Sequence, residues 1–131
     1  MTNKLSQSLE DYLEIIYNKI SENKTVKAID ISRQLNVSRA SVTEALNKLS
    51  EKGYISYEKY GDIVINELGI KKAKEIVLRH KELSLFLKNL GIDDVEADET
   101  ACKIEHIISN NIQKRIIAFN KFCKNNPDFK F

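Results

Sequence analysis

The chain has 131 residues, of which 42% are hydrophobic and 31% charged, an ordinary composition for one compact domain or two small ones. No apolar run approaches the roughly 20 residues of a membrane span, and the opening MTNKLSQSLE lacks the apolar core of a secretory signal, so we expect a cytoplasmic protein. The net charge of +2 excludes few classes of binding partner. The charge is unevenly distributed, however: residues 24–60 hold seven basic and four acidic side chains, whereas residues 91–111 hold one lysine and six acids. One segment could therefore face a polyanion while the other could attract cations.

Residues 5–20 predict an amphipathic helix. Apolar side chains recur there at helical spacing, at Leu9, Leu13, Ile16 and Ile20. Asp11 and Glu14 fall off this apolar stripe and share another face. Asp11 could simply be a first-turn acid in a helix capped by Ser8, where the helix dipole favours a carboxylate.

Residues 27–55 predict a helix-turn-helix. A short helix around Ile29 to Leu35 is followed by a break at residues 36–38, and a second helix from Arg39 to Lys52 would be closed by Gly53. Its predicted buried stripe consists of Val42, Ala45, Leu46 and Leu49. If the motif binds DNA, the start of this second helix enters the major groove. The groove candidates are then Ser38, which would also cap the helix, and Arg39, Ala40, Ser41, Thr43 and Glu44. A helical hairpin of this kind can also be merely structural.

The residues that follow, YISYEKYGDIVINELG, predict two strands, 54–58 and 63–66, around a turn at residues 60–62. A helix-turn-helix followed by a hairpin is a winged helix. Lys59 and Tyr60 would then lie near the tip of the wing, where a cation and a hydroxyl can meet phosphate.

Three further helices are predicted beyond Gly69. The first is long, carries His80 and ends before Gly91. The second begins near Asp93 and Glu96, which have the spacing of a capping box. The last covers about residues 111–123.

The stretch ETACKIEHII, residues 99–108, brings a cysteine, a glutamate and a histidine close together in the sequence. If the stretch is helical, Cys102, Glu105 and His106 share one face. Thiolate, carboxylate and imidazole are the side chains that bind divalent metals of intermediate softness. Alternatively, Cys102 is a small buried residue and the other two form a solvated edge. Cys102 and Cys123 could form a disulfide, but a cytoplasmic chain more often keeps cysteines reduced.

Four stretches together resemble the metal-dependent repressor family typified by the diphtheria toxin repressor and the manganese transport regulator. They are LEDYLEIIY, VSRASVTEALNKLSEKGYI with YEKYG, RHKEL and CKIEHIIS, and the resemblance runs from about Leu9 to Phe122. The resemblance implies a mainly α fold: a winged helix-turn-helix DNA-binding domain, residues 1–69, and a helical metal-binding and dimerisation domain, residues 70–131. We expect no SH3-like third domain, and in this the chain departs from many members of the iron branch.

The function implied by the resemblance is that of a homodimeric regulator, a repressor of metal-uptake genes, which binds a palindromic operator in double-stranded DNA. Its affinity for DNA would rise when Mn²⁺ or Fe²⁺, with Co²⁺ or Zn²⁺ as substitutes, binds between the first helix and the dimerisation helices. The ligands matched position by position are Asp11, Glu14, His80, Cys102, Glu105 and His106. Dimer contacts are assigned to Ile107, Ile108, Ile112, Ile116 and Phe119.

The pattern departs from both branches of the family. The manganese branch has a glutamate where this chain has Cys102, and cysteine there is typical of the iron branch. The iron branch in turn carries methionine and arginine where this chain has Asp11 and Glu14. Its ancillary site includes a glutamate and a histidine at positions that correspond to Ser84 and Asp98.

Two other functions fit parts of the same sequence. A winged-helix regulator that ignores metals would share the DNA-binding pattern and differ only in the ligand set. A small metallohydrolase would need an open coordination position and a general base, and no His-Glu-x-x-His motif is present. We therefore expect the chain not to be an enzyme.

Overall fold

The computed structural model describes residues 5–58 and 61–131 of the chain. Its elements, in chain order, are α1 Gln7–Ser21, α2 Ala28–Leu35, α3 Arg39–Glu51, β1 Ile55–Ser56, β2 Val64–Ile65, α4 Glu67–Asn89, α5 Asp94–Ile104 and α6 Asn110–Asn125. The chain divides into two compact units, one ending at Lys74 and the other beginning at Glu75, so the division falls within α4. The predicted mainly α fold is confirmed, while the division of functions at residues 69 and 70 stays a prediction.

The helix-turn-helix of the first unit forms as predicted. Asn36 ends α2 in the left-handed conformation, at φ 54°, and the Ser38 side chain caps α3 by accepting a hydrogen bond from the Ser41 N–H, at 3.1 Å. After α3, Gly53 adopts a φ of +84°, which a residue without Cβ reaches at little cost. The predicted apolar stripe of α3 is buried throughout, at Val42, Ala45, Leu46 and Leu49.

Two local details differ from the sequence-based expectations. The strands are only two residues long and pair antiparallel, Ile55 opposite Ile65 and Ser56 opposite Val64, whereas the pattern predicted strands of five and four residues. Ser6 rather than Ser8 caps α1, and its hydroxyl accepts the Leu9 N–H at 3.2 Å. Lys59 and Tyr60, predicted for the tip of the wing, lie outside the described residues.

Gly69 lies inside α4, although the sequence suggested that the helix begins after it. A Cβ at this position would stand 2.1 Å from the carbonyl oxygen of Tyr54 and 2.8 Å from Cγ1 of Ile65. That same carbonyl accepts the N–H of Asn66 at 2.9 Å, so it is held by the hairpin. The glycine is therefore needed for the close approach of α4 to the hairpin and does not mark a helix boundary.

The regular elements of the second unit are all helices. Asp93 caps α5 by accepting the Glu96 N–H at 3.4 Å, and Ser109 caps α6 by accepting the Ile112 N–H at 3.2 Å. Its small core contains Leu83, Ala101 and Ile116, with half-buried Phe86, Ile104 and Ile108 packed against it. Among the described residues, no helix is both long and apolar enough to cross a membrane.

We expect Gly69→Ala to lower the free energy of unfolding of the first unit. Alanine has a higher helix propensity than glycine, by about 1 kcal/mol. However, its methyl group would collide with the carbonyl oxygen of Tyr54, which the hairpin holds in place. Such overpacking costs about 1–3 kcal/mol or more. Urea unfolding measures the net effect. Lys71→Ala, at an exposed position of the same helix, is the control. A stability equal to that of the unaltered chain would show that the close contact does not constrain this position.

Candidate metal centre

Three metal-binding side chains meet within the second unit. His80 projects from α4, Cys102 from α5, and Glu105 from the residue that follows α5. His80 Nδ1 lies 2.9 Å from Glu105 Oε2 and 3.8 Å from Cys102 Sγ, and one donor atom from each of the three lies within 4.8 Å of the others. An imidazole, a thiol and a carboxylate are thereby within reach of a single cation.

A shared helical face for Cys102, Glu105 and His106 was predicted for the case that the whole stretch is helical, and that condition is not met. The helix α5 ends at Ile104, Glu105 is its C-terminal cap, and residues 105–107 form a turn. The helix α6 begins only a few residues later, capped by Ser109. Cys102 is exposed on α5, whereas Glu105 and His106 are 2% and 5% exposed.

His106 lies against the other oxygen of the same carboxylate. Its Nε2 is 3.4 Å from Glu105 Oε1, so the Glu105 carboxylate is placed between two imidazoles. A buried carboxylate requires such partners, because an isolated charge out of water is very costly. The imidazoles and the carboxylate can each bind a metal once deprotonated. These residues fit a divalent transition metal, and the thiol favours Fe²⁺, Co²⁺ or Zn²⁺ over a cation that prefers only oxygen ligands.

The other two predicted ligands belong to the first unit. Asp11 and Glu14 are both on α1, and both are half-buried. Of the six residues predicted as ligands, four belong to the second unit. Donor atoms of His80, Cys102 and Glu105 form one group, and His106 lies against the second carboxylate oxygen of Glu105. Cys102 and Cys123 carry thiols and do not form a disulfide.

Six of the eight predicted DNA-binding residues lie at the start of α3, while Lys59 and Tyr60 are outside the described residues. The six are all exposed: Ser38, Arg39, Ala40, Ser41, Thr43 and Glu44. The Ser38 hydroxyl donates to Ser41 Oγ at 2.9 Å, and Glu44 pairs with Lys48 one turn later at 3.2 Å. Asn47, one helical turn after Thr43, is also exposed on this face.

Models of known families cover both halves of the chain. The one described as the iron dependent repressor N-terminal DNA binding domain matches residues 4–63, and the one described as the iron dependent repressor metal binding and dimerisation domain matches residues 66–130. The chain belongs to the iron-dependent repressor family. This repressor is therefore a metal-responsive, DNA-binding transcriptional regulator that dimerises, as the sequence resemblance predicted.

Individual relatives agree with this assignment. An uncharacterised HTH-type transcriptional regulator of Methanocaldococcus jannaschii is 43% identical over 117 residues, which is 88% of this chain and 94% of that protein. The HTH-type transcriptional regulator MntR of Lysinibacillus sphaericus is 36% identical over 92% of this chain and 87% of its own.

Solved structures share the fold. A manganese-dependent transcriptional repressor in complex with manganese matches 87% of this chain with a TM-score of 0.77 and 28% identity. This repressor spans 53% of that longer chain. A hypothetical protein from Sulfolobus solfataricus matches with a TM-score of 0.72 and 24% identity over 88% of both chains, which shows the fold alone.

The predicted dimer residues of this repressor differ widely in exposure. Ile107 is 74% exposed and Ile112 48%, while Ile108 and Phe119 are half-buried. Ile116 is only 7% exposed and belongs to the core of the second unit, so little of its side chain remains for a partner. Ile107 and Ile112 are thus the members of the predicted set that offer the most apolar surface.

Ser84 and Asp98, which the sequence resemblance matched to an ancillary site of the iron branch, bind each other. The Ser84 hydroxyl donates to Asp98 Oδ1, and Lys88 Nζ lies 3.5 Å from the same oxygen. The hydrogen bond from Ser84 holds the pKa of Asp98 below its ordinary value, the charge of Lys88 adds to this, and partial desolvation opposes it. This carboxylate already has a hydroxyl and an ammonium group as partners.

We expect Ser84→Ala to raise the pKa of Asp98 toward its ordinary value of 3.8, because the largest cause of the lowering is removed. A lowered pKa in the folded state gives stability that is present above 3.8 and is lost as the pH falls through the folded value. The variant should therefore lose stability at neutral pH and show a weaker acid dependence of unfolding. NMR titration of the Asp98 carboxyl carbon measures the pKa, with Ser109→Ala as the control. An unchanged pKa would contradict the role given to Ser84.

Proposed function

We propose that this repressor senses Mn²⁺ or Fe²⁺ in the cytoplasm and, when loaded, binds palindromic operators of metal-uptake genes. The observation that carries the proposal is the convergence of His80, Cys102 and Glu105 in the domain whose family binds metal. A solved structure described as a manganese-dependent transcriptional repressor supports Mn²⁺ as one of the two metals. We assign it no enzymatic activity, because the metal-binding side chains that a hydrolase would use are the ones that we assign to metal sensing.

The donor set that we propose consists of His80, Cys102, Glu105 and His106, with Asp11 and Glu14 of α1 added from the family resemblance. A bound divalent cation would supply positive charge that several carboxylates can share. The buried Glu105 and His106 hold fixed positions, while the exposed Cys102 can adjust its side chain to the cation. All these groups bind in deprotonated form, so loading should release protons and weaken in acid.

The thiol bears on which metal is selected. By the usual order of affinities, a site with one thiolate and two imidazoles prefers Zn²⁺ or Fe²⁺ to Mn²⁺. Selection of Mn²⁺ would then depend on the geometry of the site and on the cellular supply of the metal. Selection of Fe²⁺ would depend less on both, because the donor set already prefers it to Mn²⁺. Cys102 is thus the residue that favours iron, and the likeness to a solved manganese-dependent transcriptional repressor is what favours manganese.

For DNA binding, we propose that α3 reads the major groove through its exposed first two turns. In a homodimer, two such helices fit successive major grooves when they are about 34 Å apart, which is why a palindromic operator is expected. Metal needs only to favour the DNA-binding arrangement of the dimer. A coupling of about 1–3 kcal/mol would change operator affinity about 5 to 150-fold.

Direct ligation by Cys102 can be tested by spectroscopy with Co²⁺. We expect the Co²⁺-loaded protein to show a thiolate-to-metal charge-transfer band, and Cys102→Ser to abolish it. Cys123→Ser is the matched control, because Cys123 is the other thiol of the chain and is only half-buried on α6. Persistence of the band in Cys102→Ser, or its loss in Cys123→Ser, would overturn the assignment.

The regulatory proposal is tested with duplexes selected from a random library by the Mn²⁺-loaded or Fe²⁺-loaded protein. We expect the selected duplexes to be palindromic and to lose affinity when a chelator is added. His106→Ala should remove the effect of metal while leaving the weak metal-free binding unchanged, because His106 is not in the DNA-binding unit. Equal DNA affinity of the unaltered chain with metal and with chelator would favour the metal-independent regulator instead.

A further inference from the structure

Arg79 is a buried cation next to the candidate metal centre. It precedes His80 on α4 and is 9% exposed. Its Nη1 donates to the main-chain oxygen of Glu105 at 3.2 Å, a contact that joins residues 26 positions apart. Nothing in the local sequence pattern links this arginine to the turn after α5, so the contact has no signal in the sequence.

The contact lies at the carboxyl end of α5, where the main-chain oxygens cannot bind an N–H of the same helix. Glu105 is the C-terminal cap of α5. Glu105 is 2% exposed, so water cannot readily serve instead, and an unsatisfied buried carbonyl is costly. A guanidinium group supplies the hydrogen bond and also complements the negative end of the helix dipole.

Two consecutive residues of α4 thus hold two different parts of Glu105. Arg79 binds its main-chain oxygen, and His80 Nδ1 lies 2.9 Å from its carboxylate oxygen Oε2. A single contact would leave the turn free to rotate about it, whereas two contacts from one helix fix both the main chain and the side chain. The separation of the His80 and Glu105 donor atoms is therefore set before any cation arrives.

We propose that Arg79 is a positioning residue of the metal centre: it donates no ligand atom, but it fixes the turn that carries Glu105 relative to His80. The inference rests on the proposed function, because it assumes that these donors bind metal. Loss of partners that orient metal ligands typically lowers metal affinity about 10 to 100-fold.

Electrostatics alone predicts the opposite change in metal affinity when Arg79 is replaced. A guanidinium group repels a divalent cation, so removing its charge should strengthen metal binding if Arg79 has no positioning role. The direction of the change therefore separates the two effects. Arg79→Met removes the charge and the hydrogen bonds but keeps much of the apolar stem, and Arg79→Lys keeps the charge without the planar fork of donors.

The experiment compares the unaltered chain with Arg79→Met, Arg79→Lys and the control Lys81→Met, which removes an exposed cation from the same helix. Co²⁺ affinity is measured by competition with a chelator, the ligand-field spectrum reports coordination geometry, and circular dichroism of the metal-free protein reports folding. We expect Arg79→Met to bind Co²⁺ about 10 to 100-fold more weakly with an altered spectrum. Arg79→Lys should recover part of the affinity, and Lys81→Met should match the unaltered chain.

Unchanged or stronger Co²⁺ binding by Arg79→Met, with an unchanged spectrum, would overturn the inference while leaving the proposed function intact. If Arg79→Met does not fold, Arg79→Lys decides, and full affinity with an unchanged spectrum for that variant overturns the inference. Failure of the unaltered chain to bind Co²⁺ would overturn the proposed function and this inference with it.

Discussion

The carboxylate of Glu105 is kept almost entirely out of solvent, with His80 Nδ1 2.9 Å from one oxygen and His106 Nε2 3.4 Å from the other. A buried carboxylate is stable only when its partners are close and well oriented, so the turn after α5 and the facing part of α4 are constrained together. A hydrogen bond between an imidazole and a carboxylate requires one proton. A cation can take the place of that proton, so the interaction that stabilises the metal-free unit is also the one that metal would replace.

In the DNA-binding unit, the two faces of α3 have different roles. The apolar stripe of α3 is buried while its opposite face, from Ser38 to Asn47, remains exposed. Gly69 lets the first turn of α4 pack against the carbonyl of Tyr54, which supports the hairpin beside α3. The apolar side chains of α3 thus pack inside this unit, and the opposite face of the helix stays open to solvent, where DNA could reach it.

Local patterns in the sequence were sufficient to predict the helix-turn-helix. The cap at Ser38, the stripe of α3 and the glycine at its end depend on residues within a few positions of one another. Several failures concern contacts between residues that are distant in the sequence, and Gly69 was mistaken for a boundary because its neighbour Tyr54 is distant in this sense. Others are local: Ser6 and not Ser8 caps α1, and α5 ends at Ile104 without continuing through His106. The hydrogen bond from Arg79 to Glu105 and the pairing of Ser84 with Asp98 have no local signal.

The central claim is that Cys102 joins imidazole and carboxylate donors around one cation. X-ray absorption spectroscopy of the Zn²⁺-loaded protein tests this most directly, because sulfur scatters at a distance of about 2.3 Å and nitrogen or oxygen at about 2.0–2.2 Å. We predict a first shell with one sulfur and with nitrogen and oxygen scatterers that include imidazole. A shell made only of nitrogen and oxygen, or one with several sulfurs, would contradict the donor set and with it the proposed sensor.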